Sequence, residues 1–151
     1  MRIALAGASV EENRKFAELI AAVYGLEHES FRSVVRWGLR EMGVPAPCEH
    51  ALVWAISEVL RDWNRSHLVS LLAERLAHLD EKQTGVVIDD VTYPEEYRWC
   101  RENGFLLVAT QPEPLEPVDL VVDLGDPVTS CAVVARYWRE LRGELVVPVG
   151  A

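Results

Sequence analysis

The chain has 151 residues, of which 50% are hydrophobic and 26% charged, and this balance predicts one soluble globular domain spanning residues 1–151. No apolar run approaches the roughly 18 residues that a membrane span requires, and no signal-peptide pattern is present, so the expected location is the cytoplasm, without membrane contact. The three cysteines are widely spaced and odd in number, which favours neither a disulfide framework nor a zinc site.

The net charge of −9 is concentrated in one part of the chain. Residues 80–126 hold twelve acidic residues against three basic ones, whereas acids and bases balance in the remainder. Such an acidic segment disfavours nucleic-acid binding. It is compatible either with a basic protein partner or with a solvated surface that keeps the protein soluble.

The first two predicted elements are a strand and a helix. Residues 3–6 form a short apolar strand, and residues 11–24 place apolar side chains at helical spacing before Gly25, which can end a helix. Between them, Ser9 and Glu12 fit the S-x-x-E pattern of a capping box. In that box the serine hydroxyl accepts from the glutamate amide, and the glutamate carboxylate accepts from the serine amide. A carboxylate is then predicted at the helix start, where an anionic ligand could otherwise bind.

A helical insertion is predicted at about residues 26–80. Its first helix would be capped by Ser30 and ended by Gly43, the next covers about residues 49–63, and the last follows Ser66. Apolar residues at helical spacing predict the packed faces of the first two: Phe31, Val34, Val35, Gly38 and Met42; then Leu52, Val53, Ile56, Val59, Leu60 and Trp63. These Leu- and Trp-rich helices could also leave a stripe exposed through which two chains form a homodimer.

Strands and helices alternate in the second half of the chain. Short apolar runs predict strands at residues 85–90, 105–109 and 119–124. Thr92 begins a T-x-x-E capping box for a helix that Gly104 ends. A final helix and an edge strand are predicted at residues 129–142 and 145–149.

This order of elements predicts an α/β fold with a three-layer parallel sheet, in which the helical insertion follows the first strand and helix. Ligands bind to such sheets at the carboxyl ends of the strands, near the point where the strand order reverses. Three segments are predicted to meet there: residues 7–12, 89–92 and 110–117.

Three segments carry a resemblance to a known family. They are the N-terminal MRIALAG, the block GVVIDDVTYPEEYRWCRENGFLLVAT, and the strand DLVVDLGD before a C-terminal helix. With the helical insertion, they make most of the chain similar to the deoxynucleoside monophosphate kinases of bacteriophages and bacteria, which belong to the P-loop kinases. The resemblance implies a parallel sheet of the P-loop kinase type, a donor site for ATP and Mg²⁺, and an acceptor site for a nucleoside monophosphate.

The donor positions depart from the family pattern. Aligning Gly7 with the first P-loop glycine places Glu12 at the second glycine, Asn13 at the lysine and Arg14 at the hydroxyl residue. The family's arginine after the second conserved strand is Thr92, and the lid segment TQPEPLEP contains no arginine. Asp89 or Asp90 stands where the family orients Mg²⁺. The positions of this degenerate nucleotide-binding loop are Gly7, Ser9, Glu12, Asn13, Arg14 and Lys15.

The insertion is the segment that, by the resemblance, helps to hold the acceptor nucleotide. Three arginines four residues apart could receive its phosphate or form a solvated basic face: Arg32, Arg36 and Arg40. Three tryptophans could stack a base or pack on the core: Trp37, Trp54 and Trp63. The four histidines show no catalytic spacing to a serine, cysteine or acid, and no chemistry is assigned to them.

These features favour a degenerate kinase-like protein that has lost phosphoryl transfer and acts as a nucleotide- or protein-binding regulator, without a cofactor. The reason is the joint loss of positioned positive charge, on which phosphoryl transfer almost wholly depends. One alternative is an active (deoxy)nucleoside monophosphate kinase in which Arg14 and Lys15 bind the phosphates of ATP and Asp89 or Asp90 binds Mg²⁺. Another is an acidic protein-interaction module without a nucleotide ligand.

Overall fold

A computed structural model of the chain describes residues 1–7 and 9–150, so the predicted turn at residues 7–12 is described except for Ala8. In chain order the elements are β1 (Arg2–Ala6), α1 (Val10–Tyr24), β2 (Glu27–Glu29), α2 (Ser33–Glu41), α3 (Ala46–Trp63), α4 (His67–Glu81), β3 (Val86–Val91), α5 (Pro94–Glu102), β4 (Leu106–Ala109), β5 (Leu120–Val121) and α6 (Pro127–Arg142). Among the described residues, none of the helices combines the length and apolar character needed to cross a membrane.

The sheet confirms the predicted α/β class. Its five strands are all parallel and lie in the order β2-β3-β1-β4-β5, so β1 occupies the centre with β3 and β4 beside it. Ile3 of β1 is paired with Val87 on one side and with Leu106 on the other. Because all strands run the same way, their carboxyl ends meet at a single edge of the sheet.

Helices cover both faces of this sheet. Alternate residues of a strand point to opposite faces, and β1 sends Ala4 and Ala6 to one face and Ile3 and Leu5 to the other. The first face packs against α2, α3, α4 and α5, and the second packs against α1 and α6. The sheet therefore lies between two helical layers, as the order of elements predicts.

Strand β2 was not predicted, and it shows that the insertion is not wholly helical. Its sequence is Glu27-His28-Glu29, which has no apolar run that could signal a strand. Glu29 is nevertheless 4% exposed. Its carboxylate accepts hydrogen bonds of 2.8 Å from the Ser33 hydroxyl and from Nε of Arg75. These partners offset the cost of burying its charge at the edge of the sheet.

The first helix of the insertion begins later than predicted. It starts at Ser33, and Ser30 does not cap it, because the preceding residues form a turn. The amides of Phe31 and Arg32 donate to the carboxylate of Asp90, which holds that turn against β3. Met42, predicted on the packed face, is 72% exposed.

The packed face of α3 also differs from the prediction. The helix begins at Ala46, three residues earlier than predicted, and includes Pro47 in its first turn. A proline is tolerated there because the first amides of a helix have no partner within the helix. Val53 is buried as predicted, but three apolar residues of the predicted face are exposed: Leu52, Val59 and Trp63. The inner side is taken instead by Ser57 and Arg61, which are both fully buried. Ile56 and Leu60 of the predicted face still pack against the core, so the inward side of α3 is rotated from the prediction and not wholly replaced.

Three boundaries in the second half are corrected. The capping contact before α5 is shifted by one residue, since the Thr92 amide donates to the carboxylate of Glu96, at 2.9 Å, and not to that of Glu95. The strand predicted at residues 119–124 is only two residues long. No strand forms at residues 145–149, although the Val149 amide donates to the Val23 carbonyl at 2.7 Å.

Candidate functional site

Two adjoining clefts lie at the carboxyl edge of the sheet, and Val10, Arg32 and Trp54 line both of them. The first, the His28 cleft, has a volume of about 400 Å³ and is floored by the ends of β2 and β3. The second, the Tyr93 cleft, has a volume of about 510 Å³ and lies over the ends of β1 and β3. This is the edge at which parallel α/β proteins bind ligands.

Protein side chains fill the turn after β1, where the family resemblance implies a phosphate-binding loop. Asn13 is 2% exposed, and its Oδ1 accepts a hydrogen bond from the Thr110 hydroxyl at the end of β4. A Cβ atom added at Gly7 would overlap that hydroxyl and would lie 3.2 Å from Oδ1 of Asn13. The packing of these two polar side chains therefore explains why residue 7 is a glycine.

The start of α1 carries one half of the predicted capping box. The Ser9 hydroxyl accepts a hydrogen bond of 3.3 Å from the Glu12 amide. The reciprocal bond, from the Ser9 amide to the Glu12 carboxylate, is not made within the described residues. Glu12 is exposed, and only the serine half of the predicted box is formed in the part of the chain that the structure describes.

The two basic residues that follow are paired with acids on the same helix. Arg14 donates to Glu11, with Nη2 at 2.8 Å, and forms an ion pair with Glu18. Nζ of Lys15 lies 3.7 Å from Glu11. The hydrogen bond and charge of Arg14 lower the pKa of Glu11, and those of Glu11 raise the pKa of Arg14. Both predicted phosphate ligands of the active-kinase alternative therefore already have anionic partners.

The three arginines of the insertion do not form one open basic face. Nε of Arg36 and Nη2 of Arg40 lie 2.9 Å and 3.2 Å from Oε1 of Glu49 at the start of α3. Arg32 precedes α2, is 8% exposed, and donates from Nη1 to Asp90 at 3.1 Å. Each of these candidate phosphate ligands is thus paired with a carboxylate of the chain, although Arg36 and Arg40 share one.

Asp90 is an internal hydrogen-bond acceptor. Its carboxylate accepts from the amides of Phe31, at 2.8 Å, and Arg32, at 3.3 Å, as well as from the Arg32 guanidinium. Burial raises the pKa of Asp90 and the charge of Asp89 adds to the increase, although two arginines oppose it. Within the described residues, no three His, Cys, Asp or Glu side chains are grouped so that they could hold a metal ion.

Asp90 belongs to a larger group of charges, here called the buried ionic cluster, of which all members except Glu58 are buried. Its members are Arg32, Glu58, Arg61, Asp90 and Glu96. Arg61 is fully buried, and its Nη2 lies 2.8 Å from Oε1 of Glu96 and 3.7 Å from Oδ2 of Asp90. Burial raises the pKa of Glu96 to about 7, against the opposing charge of Arg61.

The buried ionic cluster is rich in charge but poor in hydrogen bonds. All three guanidinium nitrogens of Arg61 are buried without a hydrogen-bond partner, and so are Nε of Arg32 and Oε1 of Glu96. The 2.8 Å contact between Arg61 and Glu96 is therefore an ion pair whose angles do not meet those of a hydrogen bond. Buried donors without acceptors are uncommon in folded proteins and cost free energy.

Glu58 lies between this cluster and the Tyr93 cleft. Its Oε1 is 3.5 Å from Nη2 of Arg32 and 3.6 Å from Nη1 of Arg61. Its Oε2 accepts a hydrogen bond of 3.2 Å from the Tyr93 hydroxyl. The Glu58 side chain is 42% exposed, whereas the two arginine side chains are 10% and 0% exposed. The carboxylate thus lies between the fully buried Arg61 and the Tyr93 cleft, which Arg32 itself also lines.

In the His28 cleft, His28 is bonded to Asp89, a pairing that the sequence analysis missed. Nε2 of His28 lies 2.6 Å from Oδ2 of Asp89. Burial alone would lower the pKa of His28, but the hydrogen bond and charge of Asp89 outweigh burial and raise it. The two residues are 61 positions apart, so no local spacing could reveal the pair. Asp89, a candidate Mg²⁺ ligand, is therefore held by an imidazole.

The predicted base-stacking tryptophans are in contact with other side chains. The guanidinium carbon of Arg32 lies 3.9 Å from the ring centre of Trp54, and that of Arg75 lies 3.9 Å from the ring centre of Trp37. Trp63 makes an edge-to-face contact with His67. Only Trp54 lines the clefts at the sheet edge.

Arg61, Glu58 and Glu96 were not among the predicted site residues. A signal for Arg61 was present, since it lies eight residues after Val53 and falls on the same side of α3. An arginine at a core position requires a buried acid, and acids at the ends of strands were available. Comparison with known proteins returns no match: no family model, no curated protein and no solved structure matches the chain.

Proposed function

We propose that the protein is a binding or regulatory protein on a P-loop-kinase-like fold and that it does not transfer phosphoryl groups. The observation that carries this proposal is the filled turn after β1. The residue at the position of the P-loop lysine, Asn13, is buried and bonded to Thr110. A neutral amide cannot supply the charge that the lysine places on the transferring phosphate.

The state of the neighbouring cations supports the same proposal. Arg14 and Lys15 are paired with acids of α1, and Arg36 and Arg40 share Glu49. A polyphosphate at the start of α1 would also meet Glu11. Two like charges about 4 Å apart near a protein surface repel by on the order of 4 kcal/mol. The active-kinase alternative would require these ion pairs to break.

The expected ligand is a nucleoside monophosphate, bound without ATP or Mg²⁺. The two clefts are of the size that small ligands occupy in proteins, and they lie at the edge where this class of fold binds them. Trp54 lines both clefts and offers an aromatic wall.

Calorimetric titration and a turnover assay test this proposal together. We expect no heat with ATP–Mg²⁺, measurable heat with at least one deoxynucleoside monophosphate, and no diphosphate product when both are present. Diphosphate formation that is lost on replacing Arg14 and Lys15 together would overturn the proposal in favour of an active kinase.

Absence of heat with every nucleotide would instead favour the protein-interaction alternative. In that case the acidic segment at residues 80–126 should retain a basic protein at low salt and release it at high salt, because exposed charges are screened by ions. Binding of a monophosphate in calorimetry excludes that alternative as the sole function.

A further inference from the structure

The buried ionic cluster contains two arginines whose hydrogen-bonding capacity is largely unused. Arg61 makes no hydrogen bond that satisfies its three buried nitrogens, and Nε of Arg32 also lacks an acceptor. A guanidinium carries five donors, and it is usually buried only where planar acceptors satisfy them. Arg61 lies behind Glu58, which faces the Tyr93 cleft, and Arg32 lines that cleft beside Glu58.

Glu58 is a poor match for the donors around it. Three groups converge on its carboxylate: Nη2 of Arg32, Nη1 of Arg61 and the Tyr93 hydroxyl. Only the hydroxyl is within hydrogen-bond distance, and the two nitrogens remain 3.5 Å and 3.6 Å away. A carboxylate can accept three hydrogen bonds, as that of Asp90 does, so the mismatch lies in the position of the Glu58 side chain and not in its number of acceptors.

We propose that Arg32, Arg61 and Tyr93 form a binding site for the phosphate of a phosphate monoester, and that the Glu58 carboxylate occupies this site until the ligand displaces it. A tetrahedral phosphate has three terminal oxygens, one for each converging donor, and carries up to two negative charges. The partly exposed Glu58 can rotate into the Tyr93 cleft, whose volume of about 510 Å³ leaves room for its side chain and for the ligand.

The ligand class follows from charge as well as shape. Removing Glu58 from the cluster would leave the arginines facing Asp90 and Glu96, and burial raises the pKa of both of these acids. The raised pKa values favour the neutral forms of these two acids, so they repel less strongly an incoming dianion, which brings one more negative charge than the Glu58 that it displaces. This inference rests on the proposed function in one respect: the phosphate would be that of the bound nucleoside monophosphate.

The test compares two glutamates of α3 that each face two arginines. Glu58→Gln keeps the size of the side chain and removes the competing charge, so we expect inorganic phosphate and a deoxynucleoside monophosphate to bind at least about tenfold more tightly than to the wild type. Glu49→Gln is the matched control, because it frees Arg36 and Arg40 instead. We expect it to change either dissociation constant by less than about twofold.

Calorimetry measures these constants, and thermal melting verifies that each variant is folded. An unchanged phosphate affinity in folded Glu58→Gln overturns the proposal, and so does an equal gain in Glu49→Gln, which would place the anion on α2.

Tyr93→Phe provides a test that leaves Glu58 in place. It removes one of the three donors, so we expect the Tyr93→Phe protein to bind phosphate several-fold more weakly than the wild type does. An unchanged affinity contradicts the site.

The failure of this inference can be told apart from failure of the proposed function. Turnover of ATP by the wild type contradicts the proposed function whatever Glu58→Gln does. Conversely, the wild type could bind a monophosphate without turnover while Glu58→Gln leaves the phosphate affinity unchanged. That result would support the proposed function and contradict this phosphate site.

Discussion

Gly7 is enclosed by two polar neighbours, and its substitution tests whether the turn after β1 is filled. Gly7→Ala should destabilise the protein by about 1–3 kcal/mol, because the new methyl group overlaps the Thr110 hydroxyl beside Asn13. In a Thr110→Ala background the same change should cost markedly less. Urea denaturation of the four proteins of this double-mutant cycle gives the coupling free energy.

Gly38 supplies the control for that experiment. It lies inside α2, has a negative φ, and a Cβ atom added there meets nothing within 4 Å. Gly38→Ala should therefore stabilise the protein by about 0.4–1 kcal/mol. Equal effects at Gly7 and Gly38 would contradict a filled turn.

Glu96 makes stability depend on pH in a defined direction. Its pKa is about 7 in the folded protein, above the ordinary value of 4.5, so the folded state favours the neutral acid. Its contribution is fully present below about pH 4.5 and is lost as the pH rises through 7, a difference of roughly 3 kcal/mol. Glu96→Gln should flatten the fall in unfolding free energy between pH 5 and 8.

The matched control for this pH dependence is Glu102, an exposed carboxylate on the same helix. Glu102→Gln should leave the wild-type slope unchanged, because an exposed group is solvated in both states. Urea unfolding at several pH values gives the slopes. A wild-type slope retained in Glu96→Gln would show that another group causes the pH dependence.

At the scale of elements, the starts of α1 and α4 carry serines with different roles. Ser9 accepts a hydrogen bond from the Glu12 amide, whereas Ser66 makes no side-chain capping bond at the start of α4. Ser9→Ala should therefore lower the unfolding free energy by about 1 kcal/mol, and Ser66→Ala should change it by less than about 0.5 kcal/mol. Chemical denaturation distinguishes them, and the reverse order would refute the assignment of the cap.

Strand β2 shows how an element can depend on tertiary contacts alone. It is three residues long, entirely polar, and pairs only with β3 at the edge of the sheet. Its buried Glu29 is held by Ser33 and Arg75, which come from two different helices. The insertion is therefore tied to the sheet by charge and hydrogen bonds as well as by its apolar core.

At the scale of the whole molecule, the outer face of α3 bears on self-association. Leu52, Val59 and Trp63 are 38%, 66% and 70% exposed and lie along one side of the helix. In an antiparallel pair of these helices, related by a two-fold axis near residue 58, the leucine of each chain would face the tryptophan of the other. We expect a homodimer at micromolar concentration, because pairing of the two helices would remove these exposed apolar side chains from water.

Light scattering after size-exclusion chromatography measures this mass. Trp63→Glu should shift the protein to the mass of one chain, whereas Met42→Glu, which is 72% exposed on another helix, should not. A wild type with the mass of one chain at micromolar concentration would contradict the predicted homodimer.

The sequence by itself determined that the chain folds as an α/β protein with a parallel sheet. The apolar runs of β1, β3 and β4 and the helical spacing of α1 lie within short stretches, and their periods are independent of the rest of the chain. Glycine signals are equally local: Gly25 ends α1 with a φ of 66°, as predicted.

Only the tertiary structure decided which charges meet. Asn13 and Thr110 are 97 residues apart, and His28 and Asp89 are 61 apart, so no spacing rule connects them. Packing also decided that Arg61 is buried while Trp63 is exposed, which reverses what hydrophobicity alone predicts. The physical reason is that burial of a charge depends on an opposite charge elsewhere in the fold, and only the packed chain brings that partner within reach.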